Sequence, residues 1–203
     1  AGEWMDPFDI KPMHPTDIEE AAEVLSRAMV SNPIHAAVYQ GKNETERLQI
    51  QDKFLTMLRD RPKETILAVK GNQIIGVCRS FICRGDHAIP QEIQELLDTS
   101  DSNLSSFKDR NNTWQGTWAR RDPSIRHNHL GPIGVLPAYQ GLGVGTLLME
   151  NYCKLVDEQA LPAYLETDKS SSVSFYSKFN FTLIDKTEIL AVMNYFMWRE
   201  ISK

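Results

Sequence analysis

Three glycines at alternating positions, in Gln140-Gly141-Leu142-Gly143-Val144-Gly145, separate an apolar, strand-like stretch (His129 to Val135) from a helical pattern through Leu147, Leu148, Tyr152, Leu155 and Val156. Strand, tight loop and helix in that order let successive backbone N–H groups turn toward one point at the positive end of a helix dipole, which is a cradle for a phosphate. An anion held there satisfies donors that the first helical turn leaves open and gains about 0.3 to 1 kcal/mol from the dipole. The spacing argues against two common nucleotide loops. A dinucleotide fingerprint needs G-x-G-x-x-G, and a P-loop ends in G-K-[S/T], whereas Gly145-Thr146 lacks the lysine.

The remaining pattern mixes short strands with amphipathic helices. Phe8 to Met13 reads as a first strand, and Thr16-x-x-Glu19 has capping-box spacing ahead of Ile18, Ala21, Ala22, Leu25 and Met29. Asn32-Pro33 ends that helix, a loop or short turn with His35 and Tyr39 follows, and Asn43 to Arg59 is a second helix. Thr65 to Val69 and Gln73 to Ile82 flank Gly71-Asn72, a tight-hairpin signal. From Gly85 to Ser124 the periodicity fades: Ile89, Ile93, Leu96 and Leu97 could share one helix, while Asp98 to Asn112 is polar and irregular, so 85–124 is read as an insertion. Ala163 to Glu166, Phe181 to Ile184 and Leu190 to Trp198 read as strands, with a short helix over Ser170 to Lys178. Hairpins combined with one strand–helix–strand crossover predict an α+β domain with a mixed sheet.

Composition narrows the function classes. The 203 residues are 41% apolar and 24% charged, which supports a packed core and excludes wholesale disorder. Lys plus Arg number 22 against 27 Asp plus Glu, a net charge of −5, so no nucleic-acid partner is expected. Cys78, Cys83 and Cys153 are odd in number and lack ligand spacing, so reduced thiols, a cytoplasmic location and no metal are expected. No membrane association is expected either, since no apolar run reaches spanning length. Residues 1–4 precede Met5 and are read as a cleavage remnant, leaving 5–203 as a single domain.

The loop also fits the Q/R-x-x-G-x-G/A pattern of the GNAT acetyltransferase superfamily, with Gln140, Gly143 and Gly145 at the fixed positions. His129 to Gln140 resembles that family's fourth strand and the loop after it. Leu165-Glu166-Thr167 with Val173 to Phe181 resembles its "LET…NxPFYE+xGF" segment, and the subgroup it is most similar to is that of puromycin N-acetyltransferase. The resemblance covers Asn128 to about Arg199. It implies a mixed, mostly antiparallel sheet of six or seven strands flanked by helices, whose parallel fourth and fifth strands splay to hold the coenzyme A of acetyl-CoA.

It further implies roles for individual residues. Gln140, Gly141, Leu142, Gly143, Val144, Gly145 and Thr146 would hold the pyrophosphate, amides near Val135 the pantetheine arm, and the Ile133 amide the thioester carbonyl. Pro132, between Gly131 and Gly134, supports this independently, because a proline inside a strand is expected to make it bulge and free amides. Tyr176 stands where many relatives carry the tyrosine that protonates the departing thiolate. His129 stands where some relatives have a glutamate base; an imidazole suits that task, with His127 and Glu166 as further candidates. Ser172 replaces an asparagine that often contacts the cofactor, and Asn180 replaces a glycine, a change tolerated because asparagine accepts left-handed backbone. His35, Tyr39, Trp114 and Trp118, with Glu166, are the candidate acceptor contacts.

The expected activity is transfer of an acetyl group from acetyl-CoA to a primary amine of a small molecule, by a monomer or homodimer. A protein lysine or N-terminal acetyltransferase is the near alternative, and a non-catalytic acyl-CoA sensor the rival from another class.

Overall fold

A computed structural model describes residues 8–60, 64–85, 89, 91, 94–95 and 104–203. The chain forms two compact units interleaved along the sequence, one of residues 1–30, 43–81 and 130–159 and the other of residues 31–42, 82–129 and 160–203.

In the first unit, β1 (Asp9–Pro12) leads through a 3₁₀ turn into α1 (Ile18–Met29). The cap is built two residues before the expected Thr16–Glu19 box: Asp17 Oδ2 accepts from the His14 backbone N–H at 2.9 Å. Thr16 loses the role because Pro15 opens the 3₁₀ turn ahead of it. The neighbouring unit supplies α2 (Pro33–Tyr39), and the first unit continues with α3 (Glu44–Asp60), β2 (Thr65–Lys70) and β3 (Gln73–Cys83). Strands β1, β2 and β3 pair antiparallel, and Gly71 turns the hairpin at φ 59°. Buried Arg47 of α3 donates to Ser26 Oγ of α1 at 2.9 Å. Leu25, Ile50, Phe54, Leu58, Leu67 and Val77 fill the core around it.

The second unit contains α2 and α4 (Phe107–Arg121), where the sequence suggests a loop and an irregular stretch. Pro33 breaks the preceding helix but also opens α2, because its missing N–H falls where a first-turn donor has no intrahelical partner. Ser106 caps α4, its hydroxyl accepting from the Asp109 N–H at 3.1 Å. The inward stripe of α4 is Arg110, Trp114 and Gly116, so a charged residue on the buried face hides the helical period. Arg110 is satisfied there by the carbonyls of Val38, Leu104 and Ser105. The helix suggested by Ile89, Ile93, Leu96 and Leu97 falls mostly outside the described residues.

Strand β4 (His127–Val135) passes from the second unit into the first, remaining extended through Pro132, and α5 (Val144–Gln159) follows in the first unit. The second unit is completed by β5 (Ala163–Thr167), α6 (Ser170–Ser177), β6 (Thr182–Ile189) and β7 (Val192–Arg199). Strand order is β1-β2-β3-β4 in the first unit and β4-β5-β7-β6 in the second, seven strands among the described residues, with β4 and β5 parallel and β7 antiparallel to both β5 and β6. Asn180 adopts φ 68°, the left-handed turn expected where relatives carry glycine. Among the described residues no helix is long and apolar enough to cross a membrane.

Candidate active site

The cradle belongs to the first unit. After β4, the Leu136 N–H donates to the Ile75 carbonyl at 2.8 Å, and a 3₁₀ turn over Pro137–Tyr139 delivers the chain to Gln140. The Gln140 side chain reaches back to donate to the Val135 carbonyl at 3.0 Å, tying the loop to the strand end. Gly141 and Gly143 take φ 77° and 87°, conformations that side-chain-bearing residues rarely adopt, and a Cβ on either would meet open space. The loop's main chain is therefore bare on its outer side, as a backbone cradle must be. The Gly143 carbonyl accepts from the Leu147 N–H at 3.0 Å, so α5 starts here and its first-turn N–H groups at Val144, Gly145 and Thr146 have no earlier helical carbonyl to bond. Two other glycines let helices seat closely: a Cβ on Gly76 would lie 3.0 Å from Leu148 Cδ1, and one on Gly134 would lie 2.9 Å from Ala28 Cβ.

The ionisable residues belong to the second unit. His127 and His129 share one face of β4, and Tyr164 and Glu166 share one face of β5, because strand side chains alternate. His129 Nε2 lies 2.8 Å from Glu166 Oε2. A carboxylate only accepts, so Nε2 carries the hydrogen and Nδ1 is the nitrogen at which the ring gains or loses a proton; it lies 3.7 Å from Asp122 Oδ1 just beyond the end of α4. Glu166 Oε1 is buried without a hydrogen-bond partner among the described residues. Tyr164 stacks edge-on against His129 with ring centroids 5.2 Å apart. Burial, reinforced by the Glu166 and Asp122 carboxylates, holds its phenol well above the usual tyrosine range, so it stays neutral.

Tyr176 is buried on α6, edge-on to Phe175 and Phe181, and Ser172 lies in the first turn of the same helix. His35, Tyr39, Trp114 and Trp118 come together as one aromatic cluster: His35 and Trp118 each meet Trp114 edge-on at 5.0 and 5.1 Å, and His35 stacks on Tyr39. Trp118 Nε1 donates to Asn194 Oδ1 at 2.9 Å. An open cleft of about 450 Å³ in this unit is lined by Pro33, Asp168, Ser170, Val192 and Tyr195, and Asp168 also accepts from the Ile34 N–H at 2.8 Å. Ile133 and Val135 lie on the part of β4 that belongs with the cradle. Asp122, Tyr164 and Asp168 carry no motif, and sequence reading passes over all three. Asp168 did have one signal, its place one residue ahead of Lys169 and the serine run that opens α6.

A glycine-bent main-chain cradle at the start of a helix, after a strand of a mixed sheet, fits the class of proteins that bind the diphosphate of an acyl-coenzyme A. Residues 31–181 match the model of the acetyltransferase (GNAT) family, so the chain belongs to that family and is an acetyl-CoA-dependent N-acetyltransferase. Solved structures share its fold. Arylalkylamine N-acetyltransferase 2 from Aedes aegypti aligns over 96% of this chain and 99% of its own at 14% identity, with a TM-score of 0.73. The polyamine N-acetyltransferase of Drosophila melanogaster aligns over 96% and 100% at 8% identity, TM-score 0.68. The ribosomal-protein-S18-alanine N-acetyltransferase of Escherichia coli aligns over 97% and 96% at 13% identity, TM-score 0.59.

Proposed function

We propose that this acetyltransferase acts on the primary amine of a small molecule, by direct transfer with amine and acetyl-CoA bound together. The observation that carries the mechanism is the 2.8 Å bond from His129 Nε2–H to Glu166 Oε2, which fixes the ring's tautomer and leaves a basic nitrogen on Nδ1. Acetyl-CoA, when bound, supplies an acetyl group activated as a thioester. The open main chain at Gly141 and Gly143 fits a diphosphate, which the amides from Gly141 to Thr146 would hold, with Ser172 a further contact. The Val135 amide would hold the pantetheine arm.

The remaining residues divide the proton work. The His129–Glu166 pair takes the proton that the amine loses as its bond to the acetyl carbon forms, a role that contributes ~10² to 10⁴ in rate. Glu166 and Asp122 stabilise the resulting imidazolium in the way a triad carboxylate does. The Ile133 N–H donates to the developing oxyanion, worth ~10² to 10³. Tyr176 returns a proton to sulfur as its bond to the acetyl carbon breaks. Trp114 and His35 are buried, Trp114 in a core cluster with Ile34, Val38 and Ile189, so of the four candidate acceptor contacts Tyr39 and Trp118 are the partly exposed ones, and they support a ring-bearing or apolar acceptor. Neighbours named for arylalkylamines and for polyamines favour a small amine, and the one named for a ribosomal-protein alanine keeps a protein N-terminus as the second reading.

Free-thiol release from acetyl-CoA across arylalkylamines, polyamines and peptides with free N-termini tests the proposal. Fastest turnover with an arylalkylamine is expected. Turnover confined to peptides would overturn the acceptor class.

A further inference from the structure

We propose that Asp122, His127 and His129 form a binding site for a divalent transition-metal ion, zinc by its chemistry, and that filling it switches off the base. One ring nitrogen of each histidine and one Asp122 carboxylate oxygen all lie within 4.8 Å of one another. The Asp122 Oδ1 to His129 Nδ1 separation is 3.7 Å. Two donors on one tetrahedral zinc, each about 2.0 to 2.1 Å from the metal, stand roughly 3.3 Å apart, so small side-chain movements close the set.

The hydrogen bonds behind the ligands carry the argument further than proximity does. His127 Nδ1 lies 2.7 Å from the Ile125 carbonyl, which can only accept, so the hydrogen is on Nδ1 and the lone pair on Nε2. His129 Nε2 gives its hydrogen to Glu166, so the lone pair is on Nδ1. Each ring is thus anchored through one nitrogen to a carbonyl or a carboxylate, as metal-ligating histidines almost always are, which makes the other nitrogen the one a metal would bind as it displaces any proton there. Two imidazoles and one carboxylate suit zinc and leave at least one coordination position for water or an amine. The rings are held as well as oriented: His127 is fully buried, meeting Tyr164 edge-on at 5.7 Å and Trp198 at 5.9 Å.

Metal binding stands independently of the proposed chemistry, whereas inhibition rests on His129 being part of the base: a ring nitrogen that donates to zinc cannot take a proton from the amine. The test is equilibrium dialysis of the full chain against micromolar zinc chloride, with a cobalt(II) spectrum as a second readout and acetyl transfer as a third. One zinc per chain is expected, with affinity falling by at least the ~10- to 100-fold that loss of a partner behind a ligand costs, in His127→Gln and in Asp122→Asn, and a cobalt spectrum without the thiolate charge-transfer band that Cys83 or Cys153 would give. No retained zinc, retention by both variants equal to that of the wild type, or a thiolate band would overturn the site. Should His127→Gln fail to fold, as judged by its circular-dichroism melt, Asp122→Asn decides. Zinc bound as expected, yet without effect on turnover, would uphold the site and overturn the assignment of His129 as base.

Discussion

In the proposed mechanism His129 acts as a directed base, with Glu166 on one ring nitrogen to choose its tautomer and Asp122 facing the other to stabilise its protonated form. Glu166→Gln keeps an acceptor for the ring but removes the charge, so kcat should fall ~10-fold or more while the dissociation constant for coenzyme A, measured by calorimetry, stays put. Tyr176→Phe should likewise lower kcat without changing coenzyme A affinity; a change in affinity alone would contradict the acid role. Tyr164 makes a pH prediction. Its phenol is held above the ordinary value of 10.0, so the native state keeps a proton that the unfolded state loses above that pH. Stability is therefore full below about pH 10 and falls as pH rises further. In alkaline urea titrations Tyr164→Phe should show a shallower fall. His129, Glu166 and Tyr176 were legible because they lie in stretches resembling a known family. Their pairing was not, since 37 residues separate His129 from Glu166, and Asp122 lies in a segment whose polar sequence carries no motif.

Among the elements, β4 with the loop and helix after it was the most legible, because alternating glycines leave few backbone solutions. Gly143→Ala places a Cβ at φ 87° and should raise the KM for acetyl-CoA several-fold, since left-handed backbone costs about 1 to 2 kcal/mol per residue and the loop would relax away from the cradle geometry. Gly134→Ala tests packing instead. Its Cβ would stand 2.9 Å from Ala28 Cβ, a contact that flexible side-chain ends cannot relieve, so stability in urea should drop by about 1 to 3 kcal/mol. Helices α2 and α4 were the illegible elements, for opposite reasons. α2 is seven residues long and opens on a proline, which reads as a breaker. α4 turns Arg110 inward, and the charge is tolerated only because three backbone carbonyls satisfy it, an arrangement no local pattern announces.

At the scale of the molecule, the cradle residues belong to one of the two interleaved units, and His129, Glu166 and Tyr176, the proton carriers of the proposed mechanism, to the other. Net charge and the element order gave the α+β class and the absence of a nucleic-acid footprint as expectations, and the family match then supplied the activity. Coenzyme A that binds only the folded chain should stabilise it by about 2.7 kcal/mol at one hundred times its dissociation constant, read as a rise in melting temperature. The most direct measurement is the pH dependence of kcat/KM for the amine in the wild type and in His129→Gln. The account predicts an acidic limb in the wild type that disappears in the variant, with the plateau lowered by ~10² to 10⁴. An identical limb and an undiminished plateau in His129→Gln would contradict it.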